Sequence, residues 1–159
     1  MTEQGHTVEL TVHRTPQEVY DAVGNVRGWW SESVADDTTS LGAEWDYHYQ
    51  DVHSCRIRIA EAVPGERFVW DVLENHFSFT EDPREWVGTR MVFAIASDGD
   101  GTTLTFTHEG LVESHECYGV CVQGWDFYVG QSLLELLETG DGLPSTFDHR
   151  EDQATAAAS

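Results

Sequence analysis

The sequence predicts an α+β domain: an antiparallel β-sheet wrapped around one long C-terminal α-helix, with two short helices after the first strand. Three observations carry this reading. Segments that alternate apolar and polar residues recur from Val8 to His108, separated by turn signals. A helix-capping sequence interrupts them once, after the first strand. From Tyr118 to Glu138 the apolar residues fall at 118, 121, 122, 125, 129, 133, 136 and 137, which is one helical face.

The elements follow in order. Val8 to His13 alternates with period two and reads as a half-buried strand. Thr15-Pro16-Gln17-Glu18 then supplies an N-cap, a proline for the first helical position and the acid of a capping box. Val19, Tyr20, Ala22 and Val23 form the apolar face of that helix, and Gly24-Asn25 ends it. A second short helix covers Val26 to Trp30, and Ser31 to Gly42 reads mostly as loop. Trp45 to Tyr49 puts three aromatics on one face of a strand. His53 to Ala62 follows, with Cys55, Ile57 and Ile59 on one face and Ser54, Arg56 and Arg58 on the other. Pro64-Gly65 turns the chain into a strand over Phe68 to Leu73. Ser78 to Gly88 reads as an acidic loop. Arg90 to Ala96 and Thr103 to His108 pair through a turn at Asp98-Gly99-Asp100-Gly101. Gly140 stops the long helix. One domain is expected over residues 1–142, with a mobile acidic and alanine-rich tail at 143–159.

Charge excludes several functions. Eight basic residues, all arginines, stand against 29 acidic ones, for a net charge of −21. Without lysine there is no phosphate-binding loop of the P-loop type and no Schiff-base chemistry. The negative charge opposes nucleic acid and anionic membrane surfaces. The polar start and the lack of a long apolar run predict a cytoplasmic protein with no membrane span. Three cysteines do not form a disulfide framework. The acidic composition reads as a solvated surface, and with the lack of lysine it suggests a salt-adapted proteome or a GC-rich genome.

The element order and several motifs resemble the SRPBCC superfamily of START-like and birch-pollen-allergen-like proteins, in its branch of activator-of-HSP90-ATPase (AHSA-type) domains. The matching residues are Thr15 to Ala22, Gly28-Trp29-Trp30, Val63 to Trp70, Gly101 to Gly110, and Gly124-Trp125 followed by Leu133 to Gly140. The resemblance spans roughly residues 7 to 140. It implies a helix-grip fold with a cavity between sheet and helix, but no single function. Full chaperone activators of this kind carry a separate N-terminal domain. This chain begins a few residues before its first strand, so that domain is expected to be missing and chaperone activation is not the leading expectation.

A lipophilic small molecule bound in that cavity is the leading expectation. The lining is expected from Trp45, Tyr47, Tyr49, Trp70, Phe106, His108, Trp125 and Val129. The same side chains would equally serve as core. Two alternatives stay open: a protein-interaction module of the chaperone-activator type, and an enzyme of the polyketide aromatase or cyclase type with His108 as base and a tyrosine as acid. No nucleophile, base and orienting triad is visible, so no catalytic residue is assigned. His108, Glu109, His115, Cys117 and Cys121 match no standard zinc spacing, and no metal or cofactor is expected. His48, His53 and His76 receive no role. An exposed strand edge would support a homodimer.

Overall fold

Alternation of buried and exposed side chains builds a six-stranded sheet in the computed structural model, which describes residues 5–32, 34, 37–49, 53–112 and 115–144. The strands are β1 (Gly5–Val12), β2 (Glu44–Tyr49), β3 (His53–Val63), β4 (Arg67–Phe77), β5 (Arg90–Asp98) and β6 (Gly101–Glu109). All neighbours pair antiparallel, in the spatial order β1-β6-β5-β4-β3-β2. Strands β2 to β6 form a meander, and β1 closes on β6. The connection from β1 to β2 must therefore cross the width of the sheet.

That crossing is made by α1 (Pro16–Gly24) and α2 (Val26–Trp29). The capping box forms as the sequence requires. Thr15 Oγ1 accepts from the Glu18 amide at 3.0 Å, and Glu18 Oε1 accepts from the Thr15 amide at 2.9 Å. Val19, Tyr20, Val23, Val26, Trp29 and Trp30 are buried against the sheet, where Tyr20 stacks on Phe68 at 4.3 Å.

The C-terminal helix runs from 118 to 139, but it is not uniform. It comprises α3 (Tyr118–Phe127), a π-helical turn (Tyr128–Leu133) and α4 (Leu134–Thr139). The expected single α-helix is thus interrupted, and its apolar spacing explains why. Trp125, Val129, Leu133 and Leu137 are four apart and all buried. At 3.6 residues per turn, each step of four drifts by about 40° around the helix. The wider π-turn takes up that drift and keeps all four on the sheet. Gly140 ends the helix at φ 91°, where a side chain would be strained. Arg14 donates from Nε to the Leu137 carbonyl at 2.6 Å, placing a cation at the negative helix end. Ser132 Oγ donates to the Trp29 carbonyl and accepts from the Leu143 amide, each at 2.7 Å. The first residue of the expected tail is therefore fastened to the domain, while residues 145–159 lie outside the described residues.

One strand differs from expectation in a way that shapes the site. Strand β4 extends to Phe77 rather than stopping at Leu73. Ile57 pairs with Val72 but Arg56 pairs with Glu74, so Leu73 is an extra residue in the ladder. The bulge flips the alternation: Phe68, Trp70 and Val72 are buried before it, Asn75 and Phe77 after it. Beyond Asp71 the β4–β5 ladder ends, and the following loop, 78–89, bonds back to β4, with Val72 pairing Gly88 and Thr89 and the Phe77 amide donating to the Pro83 carbonyl. No described helix is long and apolar enough to cross a membrane.

Candidate ligand cavity

A cavity of about 330 Å³ opens between the sheet and α3. The sheet contributes Tyr47, Tyr49, His53 and Phe77 to its wall, and the 78–89 loop contributes Phe79 and Trp86. Trp30 closes it from the end of α2. The helix supplies Cys121, Gly124, Trp125 and Tyr128, with Gln123, Val120 and Phe127 towards the rim. The rim is apolar and wet: Phe79 is 43% exposed, Val120 55% and Phe127 37%.

Of the residues the sequence singled out, Tyr47, Tyr49 and Trp125 share this cavity. Trp45, Trp70, Phe106, His108 and Val129 do not line it; they are buried in the layer behind. Trp45 meets Trp70 edge-on at 5.0 Å, and Phe106 packs between Phe93 and Trp125 at 4.9 and 4.7 Å. Period-two alternation identifies the inner face of a strand but not which end of that face opens into space. Trp30, Phe77, Phe79 and Trp86 are wall residues that sequence reasoning missed. An aromatic in an acidic loop, as at Phe79 and Trp86, was the available signal.

His108 occupies both of its ring nitrogens within the protein. Trp125 Nε1–H donates to His108 Nδ1 at 3.0 Å. The Thr89 hydroxyl donates to the Trp86 carbonyl at 2.6 Å, so at 2.8 Å it accepts from His108 Nε2–H. The neutral imidazole is thus fully satisfied, and burial pushes its pKa down to about 3. This chain of bonds orients Trp125 and holds the backbone at Trp86, whose rings stack at 5.8 Å.

His53 is different. Its Nε2 bonds Asn75 Oδ1 at 2.7 Å, while Asn75 Nδ2 donates to the Pro83 carbonyl at 3.0 Å. The amide orientation is fixed by the second bond, so His53 Nε2 carries the proton and Nδ1 carries the lone pair. Burial again lowers the pKa to about 3. The ring meets Trp86 edge-on at 4.5 Å and Phe77 at 4.3 Å. The β4 bulge turns Asn75 to the inner face, where it meets this histidine.

The loop that carries Trp86 is tied to the helix start. Glu85 accepts from the amides of Glu116 at 2.7 Å and Cys117 at 3.0 Å, and Glu116 accepts from the Glu81 amide at 2.7 Å. Carboxylates at a helix N-terminus satisfy its unpaired amides and its dipole.

All three cysteines are free and buried. Cys117 is held protonated by its hydrogen bond with Cys121 and by burial, and burial pushes the Cys55 thiol up. Among the described residues, no group of three or more His, Cys, Asp or Glu could hold a metal ion. Likewise, no Asp, Glu, Lys or Arg among them lines the cavity. The arrangement can enclose an apolar molecule and offer it a few hydrogen-bonding tips: the His53 Nδ1 lone pair, the Gln123 amide and tyrosine hydroxyls. Trp30 already hydrogen-bonds Tyr47.

A family model described as activator of Hsp90 ATPase homolog 1-like protein matches residues 13–138. No curated protein matches the chain. Among solved structures, the Aha1 dimer from Colwellia psychrerythraea is similar, with a TM-score of 0.71 at 18% identity over 88% of this chain and 100% of that one. DynU16, a putative protein in the dynemicin biosynthetic locus, has a TM-score of 0.65 at 19% identity, covering 89% of this chain and 49% of that one. CalU16 from Micromonospora echinospora has a TM-score of 0.56 at 17% identity, covering 84% and 74%. At such identities the likeness shows the helix-grip fold alone.

Proposed function

The chain belongs to the activator of Hsp90 ATPase homolog 1-like family, and on that premise we propose that it binds a lipophilic small molecule between the sheet and the C-terminal helix. One observation carries the reading: a cavity of about 330 Å³ whose wall is aromatic and, among the described residues, free of charge. Its volume falls within the range of small-molecule sites. Open apolar surface of this kind is costly when it faces water, and a ligand recovers that cost at about 25 cal/mol per Å². Tyr47, Tyr49 and Trp125 belong to the wall in this reading, with His53 and Trp86 added. Trp45, Trp70, Phe106 and Val129 support the wall from behind, and His108 positions Trp125.

Titration with Nile red, an uncharged dye whose emission reports an apolar site, tests it. A saturable, blue-shifted signal with one dye per chain is the expected result. A weak signal that grows linearly with dye, as for non-specific adsorption, would count against the cavity.

A second reading has its own support. The family description and the Aha1 neighbour favour a protein-interaction module of the chaperone-activator kind. Stimulation of the ATPase of an Hsp90-type chaperone by the purified protein would establish it. The neighbour is a dimer, and β1 and β2 are both sheet edges through which a second copy of this chain would pair.

A further inference from the structure

The cavity wall is polar at few points, and one of them has a defined sense. His53 Nε2–H is committed to Asn75, and Asn75 is committed to Pro83. Among the described residues nothing bonds His53 Nδ1, yet that atom is not among the sealed, unpaired polar atoms of the core. It therefore keeps accessible surface on a residue of the cavity wall. A neutral imidazole fixed in this tautomer can only accept there. No cation stands nearby on the wall: its described residues are aromatic, aliphatic, amide, thiol and glycine. The chain as a whole carries a net charge of −21, so the surrounding field also opposes an anion.

Resting on the reading of the cavity as a lipophile site, we propose that His53 is its specificity-determining residue. The ligand is an uncharged aromatic molecule that presents a hydroxyl or N–H to His53 Nδ1. A carboxylate in the same place would lose its hydration and meet a lone pair instead of a donor. An ether in the same place would leave Nδ1 unpaired. The low proton affinity of this ring keeps it an acceptor across the neutral range.

Three naphthalenes of nearly one shape separate these cases: 2-naphthol, 2-methoxynaphthalene and 2-naphthoate, titrated at pH 7 by calorimetry. The wild-type protein should bind 2-naphthol about tenfold more tightly than the methyl ether, the size of one hydrogen bond left unmade. The naphthoate should bind more weakly than either. In His53→Phe, which keeps a ring of similar width, the ether should still bind and the preference for the naphthol should vanish. Naphthoate binding as tightly as naphthol, or a naphthol preference that survives in His53→Phe, would overturn the proposal. The wild-type comparison decides even where the variant fails to fold. If none of the three binds, the reading of the cavity itself fails, and this inference with it.

Discussion

Two histidines, His108 buried and His53 half-buried, show how one residue type takes different roles according to its partners. His108 has both nitrogens bonded by Trp125 and Thr89, whereas His53 has one nitrogen fixed by Asn75 and the other on the cavity wall. Both are held near pKa 3 by burial, against about 6.5 for an exposed histidine. A base whose folded pKa is depressed stabilises the fold fully above pH 6.5. That contribution is lost as pH falls towards 3, because the unfolded chain takes up protons that the folded one refuses. For His108 alone the loss is about 2 kcal/mol at pH 5. Glutamine can donate to Thr89 and accept from Trp125 in its place, and it does not titrate. Urea unfolding at pH 7 and pH 5 should therefore show a drop about 2 kcal/mol smaller in His108→Gln than in the wild type. Equal drops would mean that His108 is not the neutral, buried partner of Trp125.

The elements were legible where local chemistry decides them. Thr15, Pro16 and Glu18 specify the start of α1, and Gly140 specifies the end of the long helix. What escaped was decided by pairing across the fold. The bulge at Leu73 breaks the alternation, so the strand read from the sequence stops at Leu73, and residues 74–77, with Asn75 and Phe77, receive no assignment. The π-turn left a trace in the spacing of Trp125, Val129, Leu133 and Leu137, but only the sheet beneath shows which side they must face. The 78–89 loop looked like acidic solvent-facing chain, although Glu85 in fact fastens Trp86 to α3. Glu85→Ala should leave two helix-start amides unpaired and cost roughly 1–2 kcal/mol, with Glu85→Gln intermediate. Denaturant melts of the three proteins check this. Dye affinity should fall in the same order, because the loop carries part of the wall; unchanged stability in Glu85→Ala would make the clamp incidental.

Across the whole molecule, charge and cavity are segregated. The arginines of the sheet pair with acids on its outer face, Arg56 with Glu44 and Asp46, Arg58 and Arg90 with Asp71, and Arg67 with Glu61. Such exposed pairs contribute little stability, and the core rests on its aromatics, with Trp29, Trp45, Trp70, Phe93 and Phe106 fully buried. The fold class followed from the order of periodic segments. The cavity did not, since a sheet face lined by Trp45, Tyr47 and Tyr49 is equally consistent with solid core and with open space. The packing runs out between Tyr47, Tyr49, His53 and Phe77 of the sheet and Gly124, Trp125 and Tyr128 of the helix.

The most direct test of that open space uses Gly124, which lines the cavity on α3. A Cβ built there meets nothing within 4 Å. Gly124→Phe should therefore fill the cavity without a clash, and replacing a helical glycine should leave the protein as stable or slightly more so. Nile red titration of this variant, beside thermal melts of both proteins, decides the matter. Lost dye binding with unchanged or raised stability is the predicted result. Dye binding as tight as in the wild type, in a variant that folds normally, would contradict the account.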